Sequence, residues 1–255
     1  MATFDLLAVI NLKSSYKKAA DFMAERDYDC IFLPLPVAVE SSFKPGLFKI
    51  KIKPSGQGIL REPEDGQLIR AMQPLFEYLS RRKLKVHCYK ADLDWSFSRD
   101  FTTQILLLTL RSKLQGIKVE DWIKLLAEEA IFAEEAICRE AYLLSAKARA
   151  KNACLAGYGA GELKSSLEKM GHEVKVIKLD VSAAPLDKLR AEVKRKMKTG
   201  DEVSRELAEK LIAMHLKFTD LILEKGYEEA YKHWLEVVSE GLAEEVSEKG
   251  TSDRN

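Results

Sequence analysis

Apolar runs and helical spacings alternate along the first half of the chain. Phe4 to Ile10 (FDLLAVI) is an unbroken run rich in strand formers, and Ser14 and Ser15 after it are placed to cap a helical segment over Tyr16 to Glu25. YDCIFLPLP is a second buried-strand run, stopped by Pro34 and Pro36. Strand, helix and strand in this order make a parallel crossover unit.

Between Ser41 and Gly66 the period changes to two. Phe48, Ile50 and Ile52 alternate with Lys49, Lys51 and Lys53, PSGQG follows, and Ile59 and Leu60 come after it. That pattern predicts a half-exposed hairpin over 43–62, inserted between layers. Asp65 to Arg82 returns to helical spacing, with Leu68, Met72, Leu75, Phe76 and Leu79 on one face, and LKVHCYK is a third strand.

DLDWSFSRD is a loop or the start of a helix. Beyond it, FTTQILLLTLRSKLQ and the long acidic-faced VEDWIKLLAEEAIFAEEAICREAYLLSAKARA predict two helices separated at Gly116. ACLAG is a strand, Leu163 to Met170 a helix with Gly171 as its stop, and EVKVIKL another strand.

From Ala184 the pattern is purely helical. Leu186, Leu189, Val193 and Met197 repeat on one face, and Thr199 with Glu202 matches a capping box for a longer helix. In that helix Leu207, Leu211, Met214, Phe218 and Leu221 follow four-and-three spacing up to Gly226, a stripe that packs on the parent domain or forms a dimer seam. The expected organisation is an α/β domain over 1–183, a helical extension over 184–247, and a disordered tail over 248–255.

Composition narrows the function classes. With 255 residues and 46% hydrophobic content the chain can bury a full core, and 41 Lys plus Arg against 40 Asp plus Glu leave no global field to recruit nucleic acid or an anionic membrane. The 32% charged content, rich in Glu and Lys, is a bias seen in thermophile proteins and in any helix-rich surface. Cys30, Cys88, Cys138 and Cys154 show no metal-ligand spacing, and three lie inside apolar runs as buried thiols do. With no signal-peptide pattern at MATFDLLAVINLKSS and no membrane-length apolar run, a cytoplasmic protein is the expectation.

The candidate chemistry centres on NACLAGYGAGELKSSLEKMGHEVKVIKLD. Gly157, Gly159 and Gly161 give G-x-G-x-G at a strand-to-helix turn, and Asp180 ends the next strand where a ribose-binding acid would stand. A dinucleotide fingerprint needs its last glycine where this chain has Glu162, and a carboxylate there repels phosphate. A nucleotide-binding, Rossmann-like domain is therefore one alternative.

Gly159-Ala160-Gly161-Glu162-Leu163, reached from a helix with Arg139-Glu140-x-Tyr142-Leu143 and followed by LEKMGHEVKVIKL, resembles the C-terminal motif of the TraB, ChaN and erythromycin-esterase-like superfamily, a G-A-G-H-L corner. LLAVINLKSS is similar to that group's first strand and turn, YDCIFLPLP to its second strand, and EYLSRRKLKVHCYKADLD to its helix and strand closing on an Asp-containing loop. The resemblance spans Phe4 to Asp180 and implies the fold. Where the group places a first-turn histidine, a second-strand glutamate and a late histidine, this chain has Leu12 (or Asn11 with a one-residue slip), Pro34 and Glu162. Leucine and proline neither ligate a cation nor move a proton, so the resemblance implies a catalytically degenerate member.

Other constellations are sparse. His87, His172, His215 and His233 fall on different elements; His87 reads as a satisfied strand residue and His172 as a surface one. Asp92 and Asp94 lie just past the third strand, at the carboxyl edge where open parallel sheets bind ligands, or simply cap the next helix. Glu128, Glu129, Glu134 and Glu135 read as a solvated helix face. Lys44, Lys49, Lys51 and Lys53 with Arg61 form the one basic feature, an anionic-partner contact or edge-strand protection.

The expectation is an α/β protein with a small, mainly parallel sheet, flanking helices, an inserted hairpin and an α-helical C-terminal extension. It would bind a ligand near Asn11, Asp92, Asp94, Gly157, Gly159, Gly161 and Glu162, or serve as a scaffold through its C-terminal helices, with no cofactor or bound metal. The competing enzyme reading is a divalent-metal hydrolase using Glu162, Asp92 and Asp94.

Overall fold

A computed structural model describes residues 1–44, 47–48, 53–54, 59–62, 65–157, 159–180 and 183–236. The chain divides into two compact units: Met1–Leu107 with Leu125–Val181, and Leu108–Lys124 with Ser182–Asn255. The second unit thus takes 108–124, which the linear reading places in the α/β domain.

The first unit is an α/β domain around a five-stranded, all-parallel sheet: β1 (Thr3–Ala8), β2 (Cys30–Pro36), β3 (Lys85–Lys90), β4 (Lys151–Ala156) and β5 (Glu173–Lys178), in the order β3-β2-β4-β1-β5. The interior strands β2 and β4 are covered on both faces and nearly continuously buried, whereas the edge strands β3 (KVHCYK) and β5 (EVKVIK) interleave polar residues. Leu7, Ile31, Leu33, Val86, Cys88, Ala153 and Leu155 pack on one face against α1 (Lys13–Ala24), α2 (Gly66–Ala71) and α3 (Gln73–Ser80), through Tyr16, Met23, Ile69, Leu75 and Leu79. Phe4, Leu6, Phe32, Tyr89 and Cys154 point to the other face, against Ala141 and Leu144 of α5 (Val119–Lys147) and Leu163 and Leu167 of α6 (Ala160–Lys169). Cys30, Cys88 and Cys154 are buried thiols, as expected, while Cys138 is exposed.

Several local expectations change. α1 begins at Lys13 with Leu12 as its N-cap and no side-chain cap, and Ser15 instead turns into the interior. β2 runs through Pro34 to Pro36, but it pairs with β4 only over Cys30–Phe32 and shifts register against β3 after Leu33, because proline has no N–H for the ladder. The single helix expected over Asp65–Arg82 is two, separated at Met72, with Pro74 in the first turn of the second. Asp92 opens a helix directly, α4 (Asp92–Gln115).

In the predicted hairpin region, Phe43–Lys44 pairs antiparallel with Leu47–Phe48. Lys53–Pro54 pairs parallel with Arg61–Glu62, so Arg61 does not sit on an antiparallel return strand. Lys49, Lys51, Ile50 and Ile52 lie outside the described residues, as does the 248–255 tail.

β3 is an edge strand, and its outer side is met by the 3-10 turn Val37–Ser42. Glu40 of that turn accepts from the Cys88 N–H (2.9 Å), from Lys147 Nζ (2.8 Å) and from His87 Nδ1 (2.8 Å). His87 is therefore the satisfied strand residue expected. His172 is not simply a surface group: its Nε2 meets Ser145 Oγ at 2.8 Å and its ring stands edge-on to Phe4.

The second unit is helical. α7 (Pro185–Thr199) packs on α8 (Arg205–Lys225), and residues 227–236 form a further helical segment. Ser204, not a Thr199–Glu202 box, caps α8: its hydroxyl accepts from the Leu207 N–H, while Thr199 Oγ1 bonds Asp201. Of the expected stripe, Leu211 and Phe218 are buried, Phe218 among Tyr227, Tyr231 and Trp234, while Met214 and Leu221 are half-buried and Leu207 is exposed. No helix among the described residues is long and apolar enough to cross a membrane.

His215 lies in this core, 3.3 Å from Thr109 Oγ1 and edge-on to Trp122. Burial, with the charges of Arg190 and Lys113, pushes its pKa down to about 4. The unfolded chain titrates near the ordinary value of about 6.5, so it takes up the proton first as pH falls. The stability this neutral ring contributes is complete above that value and is lost progressively down to about pH 4, on the order of 3 kcal/mol. An NMR titration should show the His215 ring neutral down to that pH; a midpoint near 6.5 would contradict its burial.

Candidate functional site

The carboxyl ends of β3 and β4 open into a cavity of about 230 Å³. Tyr89 and Lys90 line it from β3, Ala156, Gly157 and Gly159 from β4 and the turn after it, and Leu163 from α6. Ser98 and Phe101 of α4 and Glu129, Phe132, Ala133, Ala136, Ile137 and Glu140 of α5 close the remaining sides. This is the edge of an open parallel sheet at which ligands bind.

The charged feature is a Lys90–Glu140 pair, Nζ to Oε1 at 2.5 Å. Glu140 is buried, with its side chain 7% exposed, while Lys90 is 29% exposed. Burial pushes the Glu140 carboxyl above its ordinary value; Lys90 opposes that shift and the charge of Asp94 adds to it. The ring of Tyr89 is fixed by its hydroxyl, which donates to the Leu155 carbonyl at 2.7 Å. Phe132 meets Phe101 with ring centroids 5.8 Å apart.

The glycine corner contributes backbone rather than side chains. Gly159 caps α6 at φ −82°, and the only positive-φ residues described are other glycines. A Cβ at Gly157 or Gly161 would meet nothing within 4 Å, and one at Gly159 would make ordinary contact with Ile137 Cδ1 at 3.5 Å. Neither conformation nor crowding in the folded chain requires glycine here, so the positions leave room for a ligand to approach the backbone. Gly161→Ala, in the first turn of α6, should therefore raise stability by about 0.5 kcal/mol; a loss in a denaturant titration would show a constraint absent from this geometry.

Of the residues expected to bind ligand, Gly157 and Gly159 line the cavity. Asp94 is buried and bidentately bound by Arg139, with Nη2 to Oδ1 at 2.8 Å and Nε to Oδ2 at 3.0 Å. Exposed Asp92 accepts from the Ala38 N–H at 3.0 Å, and Asn11 Oδ1 accepts from the Tyr16 hydroxyl at 3.0 Å. Gly161 and Glu162 lie in the first turn of α6, Glu162 partly buried. Among the described residues no group of three His, Cys, Asp or Glu side chains could hold a metal ion. Asp92 and Asp94 are thus held in structural hydrogen bonds, Asp94 most fully.

Strand order separates Asp180 from the glycine corner. A dinucleotide fingerprint needs the ribose-binding acid on the strand beside the glycine strand. Here β1 lies between β4 and β5, so Asp180 is two strand spacings, about 10 Å, from the corner. Its Oδ1 is held by Lys18 Nζ at 2.9 Å.

Sequence reasoning missed Lys90, Glu140, Phe101 and Phe132, and it assigned Glu129 to a solvated face, although only Glu128, Glu134 and Glu135 of that group are exposed. A signal was present: positions 129, 132, 133, 136 and 140 share one face of α5, and a charged residue closing a face of Ala and Phe marks a buried partner. Two other cavities among the described residues are larger: one of about 330 Å³ at the amino edge, partly closed by Tyr28 donating to Asp5 Oδ2 at 2.6 Å, and one of about 590 Å³ along α1 and α3, lined by Lys17, Asp21, Glu77 and Arg81 among others. Compared with known proteins, the chain matches no family profile, no curated protein and no solved structure.

Proposed function

We propose that the protein binds a small ligand at the carboxyl edge of its sheet, in the cavity between β3, β4 and α5. The observation that carries this reading is the convergence there of the buried Glu140, paired with the half-buried Lys90, with a glycine corner that the fold itself does not need. Descent from the TraB and ChaN-like group belongs to the same proposal. It is supported by the order of elements leading from Arg139-Glu140 to Gly159-Ala160-Gly161-Glu162-Leu163; Leu12, Pro34 and Glu162, standing where that group has its reactive residues, would make the chain a catalytically degenerate member.

Gly157→Leu tests the reading, because its side chain has open space in the free protein and would fill the cavity mouth. Small molecules selected by thermal shift should slow amide exchange over 129–140 and 156–163, and the leucine variant should keep its melting temperature within a few degrees while losing that protection. Protection that survived in Gly157→Leu would place the ligand elsewhere and sink the proposal.

A further inference from the structure

β1 and β4 are neighbours in the sheet, yet the chain leaves them on opposite sides. β1 leads into α1, which packs Tyr16, Ala19 and Met23 on one face, and β4 leads into α6, which packs Leu163 and Leu167 on the other. Where neighbouring connections part in this way, a crevice lies between the carboxyl ends of the two strands, and open parallel sheets hold ligands there. The two helices that start at this edge differ in charge. α6 carries Glu162 in its first turn, whereas α1 has no acid there, opens with Lys13, and has no side-chain cap from its N-cap residue Leu12. The Tyr16 N–H is bonded to the Leu12 carbonyl at 3.1 Å, while the N–H groups of Lys13, Ser14 and Ser15 come before any carbonyl of the helix can reach them. Of the two helix starts, α1 is the one that favours an anion.

Two buried side-chain atoms distinguish it from an ordinary helix start. Ser15 is 1% exposed, and its hydroxyl has no partner among the described residues. Helical side chains lean toward the amino terminus, so this hydroxyl lies beside the opening turn. Asp180 follows β5, the strand on the other side of β1, where the Leu179 N–H bonds the Ala8 carbonyl at 3.2 Å. It is two strands from the glycine corner but only one, about 5 Å, from β1. Its side chain is 10% exposed; Lys18 of α1 holds Oδ1 at 2.9 Å, and Oδ2 is buried without a partner among the described residues. Buried polar atoms left unpaired are costly, so a ligand that supplied the missing bonds would be favoured by both. The serine hydroxyl can donate to an anion, while a carboxylate oxygen only accepts and calls for a ligand O–H.

We propose that the start of α1 is a second ligand site, separate from the cavity between β3, β4 and α5, and that it takes a phosphorylated polyol of the sugar phosphate class. The phosphate would accept from the first-turn N–H groups and the Ser15 hydroxyl, with Lys13 as its counter-charge, and a sugar hydroxyl would donate to Asp180 Oδ2.

Isothermal titration of the full chain with ribose 5-phosphate, inorganic phosphate and ribose makes the test. Ribose 5-phosphate should bind about tenfold tighter than inorganic phosphate, and ribose should not bind measurably. Ser15→Ala should weaken both phosphates about tenfold while its melting temperature holds or rises, because the free protein loses an unpaired buried hydroxyl. Asp180→Ala, with its near-ultraviolet spectrum confirming an intact fold, should bring ribose 5-phosphate down to the affinity of inorganic phosphate and leave the latter no weaker. Bound ribose 5-phosphate should slow amide exchange over 12–16. Equal binding of the ester and inorganic phosphate, unchanged binding in Ser15→Ala, or no binding by either phosphate would overturn the proposal. Protection over 129–140 in place of 12–16 would also overturn it, by assigning the ester to the other cavity.

Discussion

Lys90→Met should lower the unfolding free energy by about 3 kcal/mol, because it leaves Glu140 buried with its counter-charge removed. The double variant Lys90→Met with Glu140→Leu should recover most of that loss, since a well-packed apolar pair of similar volume is close to neutral in stability against a buried ion pair. Denaturant titrations of the two single variants and the double variant form the cycle. A double variant as unstable as the sum of the singles would show that the two residues are not coupled.

The pH dependence gives an independent check. Burial holds the Glu140 carboxyl above its ordinary value, so the folded state keeps this proton to higher pH than the unfolded chain does. Its contribution to stability is therefore largest below the unfolded pKa of about 4.3 and is lost as pH rises from there through the folded value. Without Lys90 the folded value rises further, so the deficit of Lys90→Met should shrink on acidification from neutral pH. A deficit independent of pH would assign the effect to lost packing of the lysine stem.

Glu40→Ala should cost about 2–3 kcal/mol, with the opposite pH signature. Burial works against the Glu40 charge, but hydrogen bonds from Lys147, His87 and the Cys88 N–H outweigh it and hold the carboxyl below its ordinary value. The stability Glu40 contributes is present above the unfolded pKa and is lost as pH falls through the lower, folded one. In the wild type this loss should appear as an acid limb below about pH 4.3 that Glu40→Ala lacks. The variant should also form concentration-dependent oligomers, because Cys88 then offers an unpaired N–H on the edge of the sheet.

The interior parallel strands were legible because they are buried on both faces, and apolar runs such as CIFLPLP and ACLA admit few other readings. The acidic-faced α5 and the glycine stops at Gly116, Gly171 and Gly226 were legible for a local reason: each glycine has positive φ where a helix ends or a strand is about to begin. Strand order was not. Nothing local in FDLLAV states that it will lie between KNACLA and EVKVIK, and that placement is what removes Asp180 from the glycine corner. The pocket escaped for the same reason. Lys90 and Glu140 come from different elements, and each alone reads as a surface charge, while Asp92 and Asp94, adjacent in sequence to a strand end, drew notice but are bound to Ala38 and Arg139.

The interior place of β1 also governs how the chain acquires its structure during synthesis. Thr3 to Ala8 emerges first, yet its two neighbours are Lys151–Ala156 and Glu173–Lys178, the last strands of the sheet to be made. Until Lys151–Ala156 is translated the first strand has no partner on either side, and until Glu173–Lys178 follows it has one on a single side only. The α/β unit can therefore complete its sheet only after about Lys178 has left the ribosome, a closure over long sequence separation that slows folding. Any fragment ending before β4 would carry a first strand with nothing to pair with, and such nascent chains are the species on which chaperone dependence should fall.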